Sequence, residues 1–323
     1  MSERFTWHGG GLAAARAAYG EGDWLDLSTG INPHGWPVPD LGIDWTRLPE
    51  EPALLALERA AAAHFGVDPA YVCALPGTEI GLRLVGQLIG GPAVHGAPGY
   101  RTHGDVVRGS RPVDATRLDA ADGGTLILAN PANPDGRRHA RADLRALLAR
   151  RGEAGWLIVD EAFADADPCE SVADHVASDR RLLVFRSFGK FFGLAGVRLG
   201  FLLGPPHFLS QMRHLLGAWP LSAAAIAIGE AAYRDRPWIA AMQDRLRAEA
   251  TALDALLARA GYRGQGACSL FRLIDTDDAF ALFERLAAQT ILTRPFAENP
   301  RWLRIGLPAD AAASARLEAA LHG

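Results

Sequence analysis

The chain of 323 residues carries 33 lysines and arginines, and only Lys190 among them is lysine. An amine that sheds its proton attacks a carbonyl, whereas a guanidinium stays protonated and is a poor nucleophile. Arginine can replace lysine wherever only a positive charge is needed. The surviving lysine is therefore either the last remnant of a compositional bias or a position where the amine itself reacts. Its setting, Phe185-Arg186-Ser187-Phe188-Gly189-Lys190-Phe191-Phe192-Gly193-Leu194-Ala195-Gly196-Val197-Arg198-Leu199-Gly200, is rich in aromatic and apolar residues. Desolvation there lowers an amine's pKa and frees the nucleophilic form. Ser187 and Arg198 flank the lysine and suit a phosphate. The Gly-x-x-x-x-Gly-Lys-Ser/Thr pattern of a P-loop is missing.

Four further groups carry chemistry. Leu75-Pro76-Gly77-Thr78-Glu79 precedes a helix, where free N–H groups and a hydroxyl either cradle a phosphate or reflect an ordinary N-cap by Thr78. Ala129-Asn130-Pro131-Ala132-Asn133-Pro134-Asp135-Gly136 either aims an Asn amide at a sheet end or is a surface turn. Asp160 ends the run Ile158-Val159-Asp160-Glu161-Ala162-Phe163. An acid at the tip of a buried strand calls for a cationic partner, for which a pyridinium nitrogen would serve, or it caps the next turn. In Trp302-Leu303-Arg304-Ile305-Gly306, alternation sets Arg304 opposite Leu303 and Ile305. There it either grips a carboxylate or is a solvated arginine on an edge strand.

These groups need a scaffold. Apolar runs at Thr125–Ala129, Trp156–Val159, Leu182–Phe185 and Leu199–Leu203 read as parallel strands with helical crossovers. Pro52–Phe65, Glu79–Ile89 and Arg141–Arg150 read as helices. Pro220–Ala260 reads as two helical stretches broken near Arg236-Pro237. The last 60 or so residues mix the strands Ser269–Ile274 and Trp302–Ile305 with the helices Ala279–Ala288 and Ala309–Leu321. The expected class is α/β, with a mainly parallel central sheet and a smaller α+β domain. Its boundaries are 1–35 for an N-terminal arm joining the small domain, 36–215 for the large domain and 216–323 for the small one. Net charge is −4, which leaves no basic footprint for nucleic acid. Hydrophobic content of 49% and charged content of 22% describe a globular chain. No run is long enough for a membrane span, and the first residues hold no apolar signal core, so a cytoplasmic protein is expected. Cys73, Cys169 and Cys268 form no metal or redox pair, and no metal is assigned.

Taken in order, Asn-Pro-x-Asn-Pro-x-Gly, Asp-Glu-Ala-Phe and Ser-x-Gly-Lys…Gly-x-Arg-x-Gly resemble the fold-type I pyridoxal-phosphate enzymes of the aminotransferase class I/II family. The resemblance implies an aspartate aminotransferase-like large domain that binds pyridoxal 5'-phosphate. It assigns Lys190 as the cofactor's covalent anchor and proton shuttle, Asp160 as partner of the ring nitrogen and Asn133 as donor to the phenolic oxygen. Gly77, Thr78, Ser187 and Arg198 would hold the cofactor phosphate. Tyr100 would stack on the ring with His103 behind it. Arg304 would receive the substrate carboxylate, with Asn32 nearby.

The stretches His8-Gly9-Gly10, Trp24-Leu25-Asp26-Leu27-Ser28-Thr29-Gly30-Ile31-Asn32-Pro33 and Arg47-Leu48-Pro49 resemble, within that family, the threonine-phosphate decarboxylases of cobalamin biosynthesis. These are siblings of histidinol-phosphate aminotransferase. The implied activity is decarboxylation of L-threonine O-3-phosphate to (R)-1-amino-2-propanol O-2-phosphate. The rivals are a histidinol-phosphate-type transaminase and a non-catalytic binding protein on the same fold. His8 and Gly9 are the candidates for the substrate phosphate. The implied partners are a small phosphorylated amino acid and a second copy in a homodimer, with neither nucleic acid nor membrane. Three positions depart from the broader pattern: Phe163 and Leu48 stand where tyrosines are usual, and Gly189 where serine is.

Overall fold

The four apolar runs of the central third are strands, and they belong to one sheet. The structure, a computed structural model, describes residues 4–121 and 123–322. By its contacts the chain divides into two units. The smaller holds Met1–His34, Pro134–Arg137 and Gln243–Gly323, and the larger holds Gly35–Asn133 and Arg138–Met242. In this division residues 216–242 fall with the larger unit. Among the described residues no helix is long and apolar enough to cross a membrane.

The smaller unit starts with α1 (Arg4–Trp7), α2 (Leu12–Tyr19) and β1 (Leu25–Asp26). The larger unit follows with α3 (Glu51–Phe65), β2 (Val72–Leu75), α4 (Thr78–Leu88), β3 (Ala93–Ala97), α5 (Thr102–Val106) and β4 (Arg111–Asp114). Next come β5 (Thr125–Ala129), α6 (Arg141–Ala149), β6 (Leu157–Asp160), β7 (Leu182–Ser187) and α7 (Phe188–Phe191). It closes with β8 (Gly200–Leu203), α8 (Pro206–Leu216) and α9 (Ala223–Arg234). Helix α10 (Arg236–Arg259) contains the division at Gln243. The smaller unit resumes with β9 (Gly264–Gln265), β10 (Phe271–Asp275), α11 (Ala279–Ala288), β11 (Ile291–Leu292), β12 (Arg294–Pro295), β13 (Trp302–Gly306) and α12 (Ala311–His322).

The larger unit's sheet has the order β2-β8-β7-β6-β5-β3-β4. Strands β5, β6 and β7 run parallel, as expected from helical crossovers, and every residue of β5 and β6 is buried. Such strands read as continuous apolar runs because both sheet faces are covered. The expectation of a parallel strand fails at β8, which is antiparallel to both neighbours. The link before it is short, holding the four-residue α7, a turn and a 3-10 turn at Ala195–Val197, so the chain returns beside β7 with Ser187 opposite Gly200. Strands β3 and β4 carried no comparable sequence signal. Ala-Val-His-Gly-Ala lacks a long apolar run, and β4, Arg-Pro-Val-Asp, is a largely exposed edge. On one face, α3 buries Leu57, Ala60, Ala61 and Phe65 against α9, which offers Ile226, Gly229 and Tyr233. That spacing is the 3.6-residue period of a helix with one buried stripe.

Registration fixes which side chains share a face. Asp160 pairs with Phe185 across β6 and β7. Side chains alternate along a strand, so Asp160, Phe185 and Ser187 point one way while Arg186 points the other. On that second face lies a buried ionic cluster. Arg186 donates through Nη1 to Glu161 Oε2 at 3.0 Å and through Nη2 to Asp165, whose carboxylate also meets His64 Nε2 at 3.1 Å. Glu161 accepts from Ser171 Oγ at 2.5 Å and from the Val172 N–H at 2.7 Å. The guanidinium lies 4.7 Å from the Phe65 ring centre. Burial pushes Glu161 up against the pull of Arg186. Burial pushes Asp165 the same way, but Arg186 and His64 outweigh it and bring the carboxyl down to about 2. Cutting one partner from such a cluster strands buried charge, which costs about 3–5 kcal/mol. Arg186→Met is therefore expected to lower the unfolding free energy by about 3 kcal/mol or more. A lower urea midpoint at unchanged slope is the readout, and an unchanged midpoint would show that the cluster contributes nothing to stability.

Candidate active site

In the larger unit the predicted residues gather at the C-terminal strand ends, where open α/β sheets bind ligands. Asp160 ends β6 and is 5% exposed. Its Oδ2 lies 3.1 Å from His103 Nε2, and its Oδ1 accepts the Ala162 N–H at 3.1 Å. The carboxylate thus caps its turn, as one of the two sequence readings had it, and it also meets the His103 ring. A carboxylate only accepts, so Nε2 carries the proton. His103, fully buried on α5, leaves Nδ1 without a hydrogen-bond partner among the described residues. Tyr100 meets His103 edge-on, with ring centres 5.6 Å apart at 85°.

Lys190 sits in α7, one turn past the end of β7 at Ser187, with Nζ 5.9 Å from the Phe163 ring centre. At Gly189 a Cβ would come 2.7 Å from the Ala195 Cα. The residue before the lysine is therefore glycine because the Ala195 turn closes on it, and a serine there would force that turn away.

The cradle proposed for phosphate is an N-terminus without a side-chain cap. Gly77 is the N-cap residue, at φ +94°, and Thr78 is the first helical residue of α4. The reading of Thr78 as an ordinary N-cap is thereby corrected. The positive φ favours glycine at this cap, and the Arg198 guanidinium lies beside it, with Nη2 2.6 Å from where a Cβ would stand. Arg198 is exposed, has φ +58°, and donates through Nη1 to the Ala195 carbonyl at 3.2 Å. Helix N–H groups with an arginine alongside suit a dianion. In the two Asn-Pro steps the residues divide the work. Asn130 braces the loop, accepting the His139 N–H at 2.9 Å and donating to the Glu170 carbonyl at 3.3 Å. Asn133 is half-buried. A buried acid with a histidine behind it, a half-buried amine and an anion cradle fit pyridoxal phosphate.

The smaller unit, taken by itself, holds the remaining candidates. Arg304 is 3% exposed and lies on β13, inside the sheet β12-β13-β10-β9, so it is not a solvated edge arginine. Its Nη2 donates to the Ser28 carbonyl at 2.7 Å and its guanidinium stacks 4.8 Å from the Phe271 ring centre. Ser28 also receives the Gly10 N–H on Oγ at 2.7 Å, and a Cβ on Gly9 would run into the Ser28 carbonyl. The His8–Gly10 segment is thus laid against the residue that Arg304 holds. His8 itself is exposed. Asn32 is buried, and its Oδ1 accepts the His34 N–H at 2.9 Å.

Sequence reasoning passed over Arg294. It stands directly opposite Arg304 in the β12–β13 register and donates to the Trp7 carbonyl at 3.0 Å. Burial first, and Arg294 after it, push the Arg304 guanidinium down to about 9. Like charges face to face destabilise a strand pair. An anion received between them relieves that repulsion. The signal was two arginines on short neighbouring strands, visible only once the pairing is known. Inorganic phosphate titrated into the ligand-free protein is expected to raise its thermal midpoint. The rise should shrink in Arg198→Ala and, separately, in Arg294→Met. Equal rises in all three proteins would remove both anion sites.

Comparison with known proteins agrees with this geometry. The family described as aminotransferase class I and II matches residues 42–321. A threonine-phosphate decarboxylase of Sinorhizobium sp is 41% identical, covering 97% of each chain. One from Pseudomonas aeruginosa is 44% identical over 98% of this chain and 97% of its own. Among solved structures, a histidinol-phosphate aminotransferase from Sinorhizobium meliloti in complex with pyridoxal-5'-phosphate superposes with a TM-score of 0.84 at 23% identity. It covers 97% of this chain and 94% of its own, which establishes the shared fold. The chain belongs to the aminotransferase class I and II family.

Proposed function

We propose that this protein is a pyridoxal-phosphate-dependent carboxy-lyase that converts L-threonine O-3-phosphate to (R)-1-amino-2-propanol O-2-phosphate, in cobalamin biosynthesis. The observation that carries the reading is the 41% and 44% identity, over nearly full length, to two threonine-phosphate decarboxylases. The facing Arg294 and Arg304 suit a substrate that bears two anionic groups.

Bound pyridoxal phosphate supplies an electron sink for the bond broken at the substrate's α-carbon. Gly77, Thr78, Ser187 and Arg198 hold its phosphate. Asp160 keeps a proton on the ring nitrogen, and His103, donating from Nε2, holds the Asp160 carboxylate in place. Tyr100 would face the ring and Asn133 would donate to the phenolic oxygen. Phe163, where other members carry tyrosine, would offer that oxygen no second donor. Lys190 would anchor the cofactor through Nζ and hold the proton destined for the α-carbon. Arg304 takes the substrate carboxylate, with Asn32 beside it. Arg294, His8 and Gly9 take the substrate phosphate. The pose in which these residues would hold the substrate decides whether carbon dioxide or the α-proton leaves.

The working form is a homodimer located in the cytoplasm. Apolar surface supports pairing. Trp45, Leu48 and Trp219 are 74%, 62% and 59% exposed, and Leu54, Leu55, Leu216 and Trp219 line an open cavity of about 420 Å³.

The deciding experiment compares carbon dioxide release from threonine phosphate with amino transfer to 2-oxoglutarate. Release without transfer is expected, and transfer without release would replace this reading by a transaminase. Lys190→Arg should lose about three orders of magnitude or more in kcat, because a guanidinium cannot stand in for the amine. Full activity in that variant would overturn the assignment of Lys190. Light scattering on the eluting protein should give twice the chain mass.

A further inference from the structure

Glu79 has no role in the reading above, yet three donors converge on it. It is the second residue of α4, next to Thr78 in the phosphate cradle. Its Oε2 accepts the Tyr100 hydroxyl at 2.9 Å and the Thr102 hydroxyl at 2.9 Å. Its Oε1 accepts Arg83 Nε at 2.9 Å. One carboxylate therefore ties the start of α4 to the turn that leads into α5. That turn carries Tyr100, and α5 carries His103.

We propose that Glu79 is a positioning residue for the cofactor: by accepting the Tyr100 and Thr102 hydroxyls together, it fixes the Tyr100 ring at a set height above the phosphate cradle. The inference rests on the cofactor reading above. It also assigns the Tyr100 hydroxyl. That hydroxyl is a donor committed to Glu79, so Tyr100 works through the face of its ring and not as an acid or base.

The electrostatics agree with the geometry. Burial would push Glu79 up, but the hydroxyls of Thr102 and Tyr100 and the Arg83 guanidinium outweigh it and hold the carboxyl below its usual range. Glu79 is thus an ionised acceptor, the stronger kind. Burial first, with the Glu79 carboxylate adding to it, pushes the Tyr100 hydroxyl up to about 12. Tyr100 keeps its proton, and with it the bond, throughout the physiological range. An acid in the first turn of a helix also sits favourably on the helix dipole, so a purely structural role is the competing account.

The two accounts separate by how the substitutions combine. The probe is pyridoxine 5'-phosphate, which has no aldehyde and so reports ring and phosphate contacts without the lysine bond. Its affinity is measured by calorimetry on the full chain freed of cofactor. Glu79→Ala and Tyr100→Phe should each weaken binding about tenfold, the scale of one hydrogen bond to a charged group. In the Tyr100→Phe background, Glu79→Ala should cost no more than about twofold further, because residues acting through one contact are not additive. Glu79→Gln keeps an acceptor carbonyl for the hydroxyls and should bind within about twofold of the native chain. Glu79→Asp keeps the charge but falls one methylene short, and it should behave like Glu79→Ala. The proposal is overturned if Glu79→Ala binds as the native chain does, or if its loss persists in full without the Tyr100 hydroxyl. It is equally overturned if Glu79→Asp binds normally while Glu79→Gln does not, since charge and not position would then be at work. If the native chain itself binds no pyridoxine 5'-phosphate, the cofactor reading falls first and this inference with it.

Discussion

The pairing of β6 with β7 is the constraint on which the larger unit's chemistry hangs. Parallel register places Asp160 beside Phe185, and strand alternation turns Asp160 and Ser187 to one face and Arg186 to the other. The two faces answer different demands. One carries an acid, a hydroxyl and, one turn on, an amine at the strand ends. The other must keep those strand ends from moving, and it does so with a buried arginine held by Glu161 and Asp165. Well-packed hydrophobic residues of similar volume often match such a cluster in stability. What the ionic version adds is direction: the Arg186 fork reaches Glu161 immediately after Asp160 and Asp165 in the next turn, fixing both at once.

The same economy of cations shapes the anion sites. In the larger unit a helix N-terminus with glycine as its cap residue has no side-chain cap, and the Arg198 guanidinium lies beside Gly77. In the smaller unit two arginines face each other across a strand pair, each donating to a backbone carbonyl. Carbonyl dipoles satisfy guanidinium hydrogens, and two guanidinium groups set side by side suit a carboxylate or phosphate. Placing Ser28 between Arg304 and the Gly10 N–H extends the arrangement to the chain's first residues.

Much of this was legible in sequence because it is local. The strand runs of β5, β6 and β7 are continuous and apolar, the mark of strands buried on both faces. Lys190, Asp160 and the Gly77-Thr78 step lie in short motifs that could be singled out from residue types, though each alone left a bland reading open. What escaped is what pairing creates. Arg294 is unremarkable in Leu292-Thr293-Arg294-Pro295 and gains meaning only opposite Arg304. Glu79 was quoted in its motif, yet Tyr100 and Thr102, more than twenty positions on, supply its role. The reversed β8 escaped too, since an apolar run does not record its direction. Arg304 was left between two readings because burial of a five-residue strand depends on neighbours that sequence alone does not place.

The departures from the wider family can be read against these contacts. Gly189 is explained by space, because the Ala195 turn occupies the position a serine side chain would need. Phe163 is explained by its surroundings: it is buried, and the Lys190 amine lies 5.9 Å from its ring centre. An aromatic face attracts the protonated amine without taking a hydrogen bond of carboxylate strength. A tyrosine there would add a hydroxyl that competes for the same proton and for the phenolic oxygen. Arginine serves elsewhere in this chain wherever a cation meets a carboxylate or carbonyl, as Arg186, Arg213 and Arg304 do. Lys190 stands apart from these arginines: its amine lies against the apolar ring of Phe163, and an amine, unlike a guanidinium, can shed its proton and act as a nucleophile.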